Sequence, residues 1–233
     1  SMDNDSLRRG KPTLHTIIDP GLALLIGDSM IADCYGLTAE ACIESYGETA
    51  KGHWISSSLT RVISESMGST GVCFGQWIDL SDSVEDWESL KTLHELKTGA
   101  LIALCMQVGY YFGIADKFSE EMISQAKKES NVLKKAGLKL GLAFQIIDDV
   151  LDETQSSETL GKTAGKDSTS SKTTSVSVLG IDKSIELANK LVSEATEDWN
   201  LVYNKNKPLT VVSHIFINSI SLCILKLLTS LKY

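Results

Sequence analysis

The sequence predicts an all-α protein, and three observations carry that expectation. Apolar residues recur at helical spacing along nearly all of the 233 residues, and no run of strict alternation persists. Only three prolines punctuate the chain, few for a strand-and-turn architecture in which proline marks the turns. Two stripes have one-face spacing: Leu133, Ala136, Leu140, Phe144, Ile147 and Leu151, and Leu90, Leu93, Lys97, Leu101, Leu104 and Val108. A chain of this length can bury one core, so a single domain over 1–233 is expected.

The elements follow in order. Asp19 precedes Pro20, a cap residue before a proline at a first-turn position, and starts a helix that the apolar run carries to Gly36. A second helix is expected over 38–66, bent at Gly47 or Gly52, and a short third over 70–80. Long helices are expected over 84–112 and 119–152, and two more over 181–204 and 208–231. The last is apolar, yet it holds Ser213, His214, Asn218, Ser219, Ser221 and Lys226, so it reads as a buried terminal helix and no membrane span is expected. Residues 165–177, rich in Ser, Thr and Lys, read as a flexible loop or flap within the domain.

With 42% hydrophobic and 22% charged residues the composition is that of a globular protein, which excludes wholesale disorder. Thirty acidic against 22 basic residues give a net charge of −8 with no basic stripe, which argues against nucleic-acid binding. An anionic substrate would need local cations or a bound metal. Five cysteines (Cys34, Cys42, Cys73, Cys105, Cys223) form no C-x-x-C pair and sit among apolar residues, as expected of buried thiols in a reduced, cytoplasmic protein.

The strongest chemical signal is Gln145-Ile-Ile-Asp148-Asp149-Val-Leu-Asp152. Asp148 and Asp152 are four apart and share a helix face, and Asp149 lies about 100° round from Asp148. Like charges so placed repel, and burying them costs more. A cation offsets both, and hard oxygen ligands suit Mg²⁺ completed by water and phosphate. Taken alone, the string also fits a solvated acidic helix end.

A second signal is His94-Glu-Leu-Lys97-Thr98-Gly99, where a lysine interrupts an apolar stripe and calls for an anionic partner. Gly99 allows a ligand or another backbone to come close. Gly75-Gln76-Trp-Ile-Asp79 adds an amide and a carboxylate that could orient a metal-bound water or the Lys97 ammonium. Asp3 to His15 pairs Arg8 and Arg9, forked donors for phosphate oxygens. Gly161-Lys162-Thr-Ala-Gly165-Lys166, with Lys172 beyond it, gathers cations but lacks P-loop spacing.

These five segments, in this order, resemble the trans-isoprenyl diphosphate synthases, the polyprenyl synthetase family, and especially its farnesyl and geranylgeranyl diphosphate synthases. The strings are D-N-D-x-L-R-R-G-K-P-T-x-H, G-Q-x-x-D, H-x-x-K-T-G-x-L-I, F-Q-I-x-D-D-x-L-D and L-G-K-x-x-G-x-D. The resemblance implies an all-α, isoprenoid-synthase-like helical bundle around a central cavity, usually a homodimer. It implies Mg²⁺-assisted condensation of isopentenyl diphosphate with an allylic diphosphate (dimethylallyl, geranyl or farnesyl) to a short-chain product. By the same resemblance Asp148, Asp149, Asp152 and Asp3 would hold the metal. Arg8, Lys97, Lys162 and Lys172 would bind the allylic diphosphate and Arg9 the isopentenyl diphosphate. Thr98 and Gln145 would line the path of the cation, making Lys97, Thr98 and Gln145 the catalytic set.

One departure stands out. The family's first motif is D-D-x-x-x-x-D, and with Asp3 as its last member the leading aspartates fall before Ser1. The native chain is therefore expected to continue upstream, which also leaves an organelle address open, and the 233 residues alone are expected to be a poor catalyst. A non-catalytic subunit of a heterodimeric synthase is the alternative, and the retained Asp148, Asp149 and Asp152 argue against it. A class I terpene cyclase would need N/D-D-x-x-S/T-x-x-x-E, which is absent from the sequence. A helical scaffold would leave Lys97 unexplained.

Overall fold

The computed structural model describes residues 2, 5–8, 10–81, 83–154 and 172–203. The expected helix over 208–231, Cys223 and the candidates Asp3, Arg9, Lys162 and Lys166 lie outside them. A two-residue hairpin, β1 (Leu7–Arg8) against β2 (Lys11–Pro12), turns at Gly10 with φ of 73° and leads into the helices. These are α1 (Pro20–Tyr46), α2 (Ala50–Met67), α3 (Val72–Leu80), α4 (Trp87–His94), α5 (Ala100–Ile114), α6 (Glu120–Thr154), α7 (Ser175–Leu179) and α8 (Ile181–Tyr203). A single π-turn, Glu95–Gly99, joins α4 to α5.

Asp19 caps α1 as expected, its Oδ1 accepting the N–H groups of Gly21 at 2.8 Å and Leu22 at 3.3 Å. The helix does not stop at Gly36, however. Thr38, read as the start of a new helix, donates its hydroxyl back to the Cys34 carbonyl at 2.7 Å and so sits inside the same helix. The break comes at Gly47, whose φ of 70° favours glycine, and Thr49 caps α2 through the Gly52 N–H. Of the expected 165–177 loop, the described part has residues 172–174 outside helix and Ser175–Ser177 inside α7.

The main core joins α2, α5, α6 and α8, with Ile55, Leu59, Tyr111, Ile114, Leu133 and Leu140 at its centre. The α6 stripe faces inward as the spacing predicts, with Phe144 half-buried. The Leu90 to Val108 stripe does not run through. Its buried line passes Leu90, Leu93 and His94, then Gly99 and Ala100, and on through Ala103, Gln107 and Tyr111. The π-turn inserts one residue, so the line steps by five from His94 to Gly99. Leu101, predicted inside, is consequently 50% exposed, and Lys97 falls at the edge of the core.

The thiol expectation also needs correction: Cys42 is buried, whereas Cys34, Cys73 and Cys105 are exposed. Two stretches, α1 and Trp87–Lys117, are long and apolar enough to cross a membrane by length and composition, and the second is largely core. The face of α1 is different. Leu22, Leu25, Met30 and Leu37 all stand exposed along it.

Candidate active site

Close backbone packing builds the site. Gly137 and Gly141, one turn apart on α6, meet Ala103 and Gly99. A Cβ on Gly141 would sit 2.6 Å from the Gly99 nitrogen, and one on Gly137 2.6 Å from the Ala103 nitrogen. Gly99 thus admits a neighbouring backbone, one of the two uses expected of it. The approach sets Thr98 opposite Gln145, and the Thr98 hydroxyl donates to Gln145 Oε1 at 3.2 Å. On the other side, a Cβ on Gly75 would lie 2.8 Å from the Lys97 Cα, so α3 rests directly on the π-turn.

That contact delivers Asp79, one turn on from Gly75, to Lys97. Lys97 Nζ donates to Asp79 Oδ2 at 2.7 Å, and Lys172 Nζ donates to Oδ1 at 2.9 Å. The Asp79 side chain is 11% exposed and Lys97's is 33%. Burial pushes the Asp79 carboxyl up, but the hydrogen bonds and charges of the two lysines outweigh it and hold the carboxyl below the usual range. Of the two roles foreseen for Asp79, orienting the Lys97 ammonium is the one observed. The Lys172 bond spans 93 positions and carries no sequence signal.

A carboxyl depressed in the folded state stabilises the fold above its unfolded value, about 3.9, and that contribution is lost as pH falls through the folded value below it. Urea unfolding of Asp79→Asn and the parent chain is expected to differ most above about pH 4 and to converge in stronger acid. A difference independent of pH would contradict the clasp.

The three aspartates of α6 face different ways. Asp149 is buried, 8% exposed, and its Oδ2 accepts the Ser175 N–H at 2.7 Å, with His94 Nε2 at 3.6 Å. Asp148 and Asp152 are half-buried on the adjoining face, and Asp152 Oδ1 is a buried oxygen. Among the described residues no three His, Cys, Asp or Glu side chains converge on one point. Two carboxylates are nonetheless a fitting donor set for Mg²⁺, which binds through one or two carboxylates and takes the rest from water and phosphate.

The structure therefore brings Lys97 and Lys172 together on Asp79 and Thr98 onto Gln145 of α6, while Asp149 meets Ser175 and His94. Arg8 is exposed on the hairpin, and among the described residues no hydrogen bond or ion pair joins it to this group. In the sequence His94 stands out only as the first residue of the string that carries Lys97, and Ser175 carries no signal.

Fold and site together define a helical isoprenoid-synthase class. The geranyltransferase of Helicobacter pylori, solved with magnesium and isoprenyl diphosphate, superposes with a TM-score of 0.68 at 30% identity, covering 98% of this chain and 67% of that one. A family model described as Polyprenyl synthetase matches residues 2–205, and the chain belongs to that family. Among its relatives, a geranylgeranyl diphosphate synthase of Cyanophora paradoxa is 36% identical over 94% of this chain and 68% of its own. A chloroplastic geranylgeranyl pyrophosphate synthase of Catharanthus roseus is 39% identical over 84% of this chain and 51% of its own. A farnesyl diphosphate synthase of Micrococcus luteus is 34% identical over 92% and 69%. The chain thus spans between half and about two thirds of the length of these relatives. Those named are short-chain prenyl diphosphate synthases, and none is named as a non-catalytic subunit.

Proposed function

We propose that the protein condenses isopentenyl diphosphate with an allylic diphosphate to give farnesyl or geranylgeranyl diphosphate. One set of observations carries the reading: Lys97 and Lys172 meet on Asp79, and Thr98, next to Lys97, is bonded at 3.2 Å to Gln145, which stands about one turn before Asp148 on α6. Lys97 and Lys172 take the allylic diphosphate oxygens and stabilise the charge that grows there as the carbon–oxygen bond breaks. Asp148 and Asp152 would hold Mg²⁺, which when bound draws off charge from the same leaving group. The hydroxyl of Thr98 and the amide oxygen of Gln145 face the positive carbon with lone pairs but no nucleophilic charge. The isopentenyl double bond then forms the new carbon–carbon bond, and its proton leaves to the released diphosphate.

Arg8 is assigned to the allylic diphosphate by the resemblance. Asp3 (metal), Arg9 (isopentenyl diphosphate) and Lys162 (allylic diphosphate) are assigned in the same way and lie outside the described residues. A homodimer belongs to this reading too. The exposed apolar face of α1 supports it, because a contiguous patch of that kind marks an interaction surface. Bacterial and chloroplastic relatives support a cytoplasmic or plastid setting.

The test is incorporation of radiolabelled isopentenyl diphosphate onto geranyl diphosphate. It would use the 233-residue chain and one extended upstream by the D-D-x-x-x-x-D segment. The extended chain is expected to form prenyl diphosphate that EDTA abolishes, and the shorter one little. No magnesium-dependent product from either would refute the reading.

A further inference from the structure

The carboxylate in the middle of the acidic string is turned away from its neighbours. Asp148 and Asp149 are adjacent, hence about 100° apart round the helix, and only Asp149 is buried against protein. Three chain segments meet at its side chain. The first is α6 itself. The second is the segment carrying Lys172: Ser175 donates its N–H to Asp149 Oδ2 at 2.7 Å and its hydroxyl to the Ile146 carbonyl at 3.4 Å. The third is the turn carrying Lys97 and Thr98, whose preceding residue His94 puts Nε2 at 3.6 Å from the same oxygen.

We propose that Asp149 is a positioning residue that ties the segment carrying Lys172 to α6 from behind the metal face, with His94 packed beside it, and not a magnesium ligand. Pinning Asp149 inward fixes the rotation of α6, which leaves Asp148 and Asp152 on the adjoining face. Through Ser175 it also sets where the chain leaves for Lys172, three residues earlier. Around that point Thr173 donates to the Val84 carbonyl at 2.9 Å and Thr174 caps α7, so a displacement at Ser175 is passed to Lys172 and on to Asp79. The inference rests on Asp148 and Asp152 being the metal face, and the experiment separates the two claims.

Asp149→Asn, Asp149→Ala and Asp148→Asn are compared with the parent chain by two readouts that need no turnover. These are magnesium affinity by calorimetry in the presence of inorganic pyrophosphate, and amide hydrogen exchange over 172–180. Asp149→Asn keeps an oxygen acceptor and is expected to hold magnesium affinity within about threefold, whereas Asp148→Asn loses about tenfold or more. Asp149→Ala is expected to speed exchange across 172–180 about tenfold, with Asp149→Asn largely restoring the slow rate. Should Asp149→Ala fail to fold, Ser175→Pro removes the donor instead. Its site is the first position of α7, where proline fits, and Thr174 before it is already extended at φ −122° and ψ 163°. It is expected to accelerate exchange over the same residues and weaken pyrophosphate binding. Equal loss of magnesium in Asp149→Asn and Asp148→Asn, or unchanged exchange in Asp149→Ala and Ser175→Pro, overturns the proposal. If Asp148→Asn keeps full magnesium affinity while exchange still responds to Asp149→Ala, the metal reading fails and the tie stands.

Discussion

Replacing Gly141 with alanine is expected to destabilise the protein by about 2 kcal/mol, an overpacking cost in the usual range, and to part the two walls of the site. Helix propensity alone predicts the opposite sign, because alanine in a helix interior gains about 1 kcal/mol over glycine. Sterics decide it. The new Cβ would press on Gly99 Cα and lie 2.6 Å from the Gly99 nitrogen. These are backbone atoms of a turn that cannot rotate aside as a side chain can. At about 2–4 °C per kcal/mol for a chain of this size, the melting temperature is expected to fall by about 4–8 °C. Gly109→Ala is the control, since its Cβ meets nothing within 4 Å and should be neutral or stabilising by up to about 1 kcal/mol. Calorimetric melting of both variants checks this. A Gly141→Ala chain as stable as the parent would contradict the close crossing.

The second large effect concerns Lys97. Lys97→Ala, in the upstream-extended chain, is expected to lower kcat by about a hundredfold to a thousandfold, the usual loss when one preorganised charge at a leaving group is removed. The KM for the allylic diphosphate should rise as well. Lys97→Arg restores charge but not the single short bond to Asp79 Oδ2, so partial recovery is expected. Steady-state kinetics with both substrates separates the terms. A kcat within about threefold of the parent would place Lys97 outside the transition state.

Much of this site was legible because its chemistry is written locally. Four-residue spacing puts Asp148 and Asp152 on one face whatever surrounds them, and a lysine in an apolar stripe demands an anion. Asp79 was identified as a candidate partner for that reason. What escaped was long-range or a matter of one residue. The π-turn at Glu95–Gly99 adds a single residue, which counting by threes and fours does not detect, so the stripe puts Leu101 in the core, where it is 50% exposed, while Lys97 lies half-buried at the core's edge. Gly36 looked like a helix end because glycine is a weak helix former. Thr38 looked like a helix start because threonine favours caps, yet inside a helix its hydroxyl can equally bond back to the carbonyl four residues earlier, as it does to Cys34. Adjacent carboxylates are equivalent in a sequence, so no pattern shows that the fold brings the Ser175 N–H, 26 positions away, to Asp149 and not to Asp148. The thiols were assigned to the interior by their apolar neighbours, but apolar residues on α1 and α3 are themselves exposed, and Cys34 and Cys73 go with them.

The central claim is that the paired lysines and the α6 carboxylates close on a magnesium diphosphate from opposite sides. A crystal structure of the upstream-extended chain with MgCl2 and a prenyl bisphosphonate addresses it most directly. The account predicts a metal about 2.1 Å from carboxylate oxygens of Asp148 and Asp152, with phosphonate oxygens against Lys97 and Lys172. A bisphosphonate seated elsewhere, with no metal on that face of α6, would contradict it.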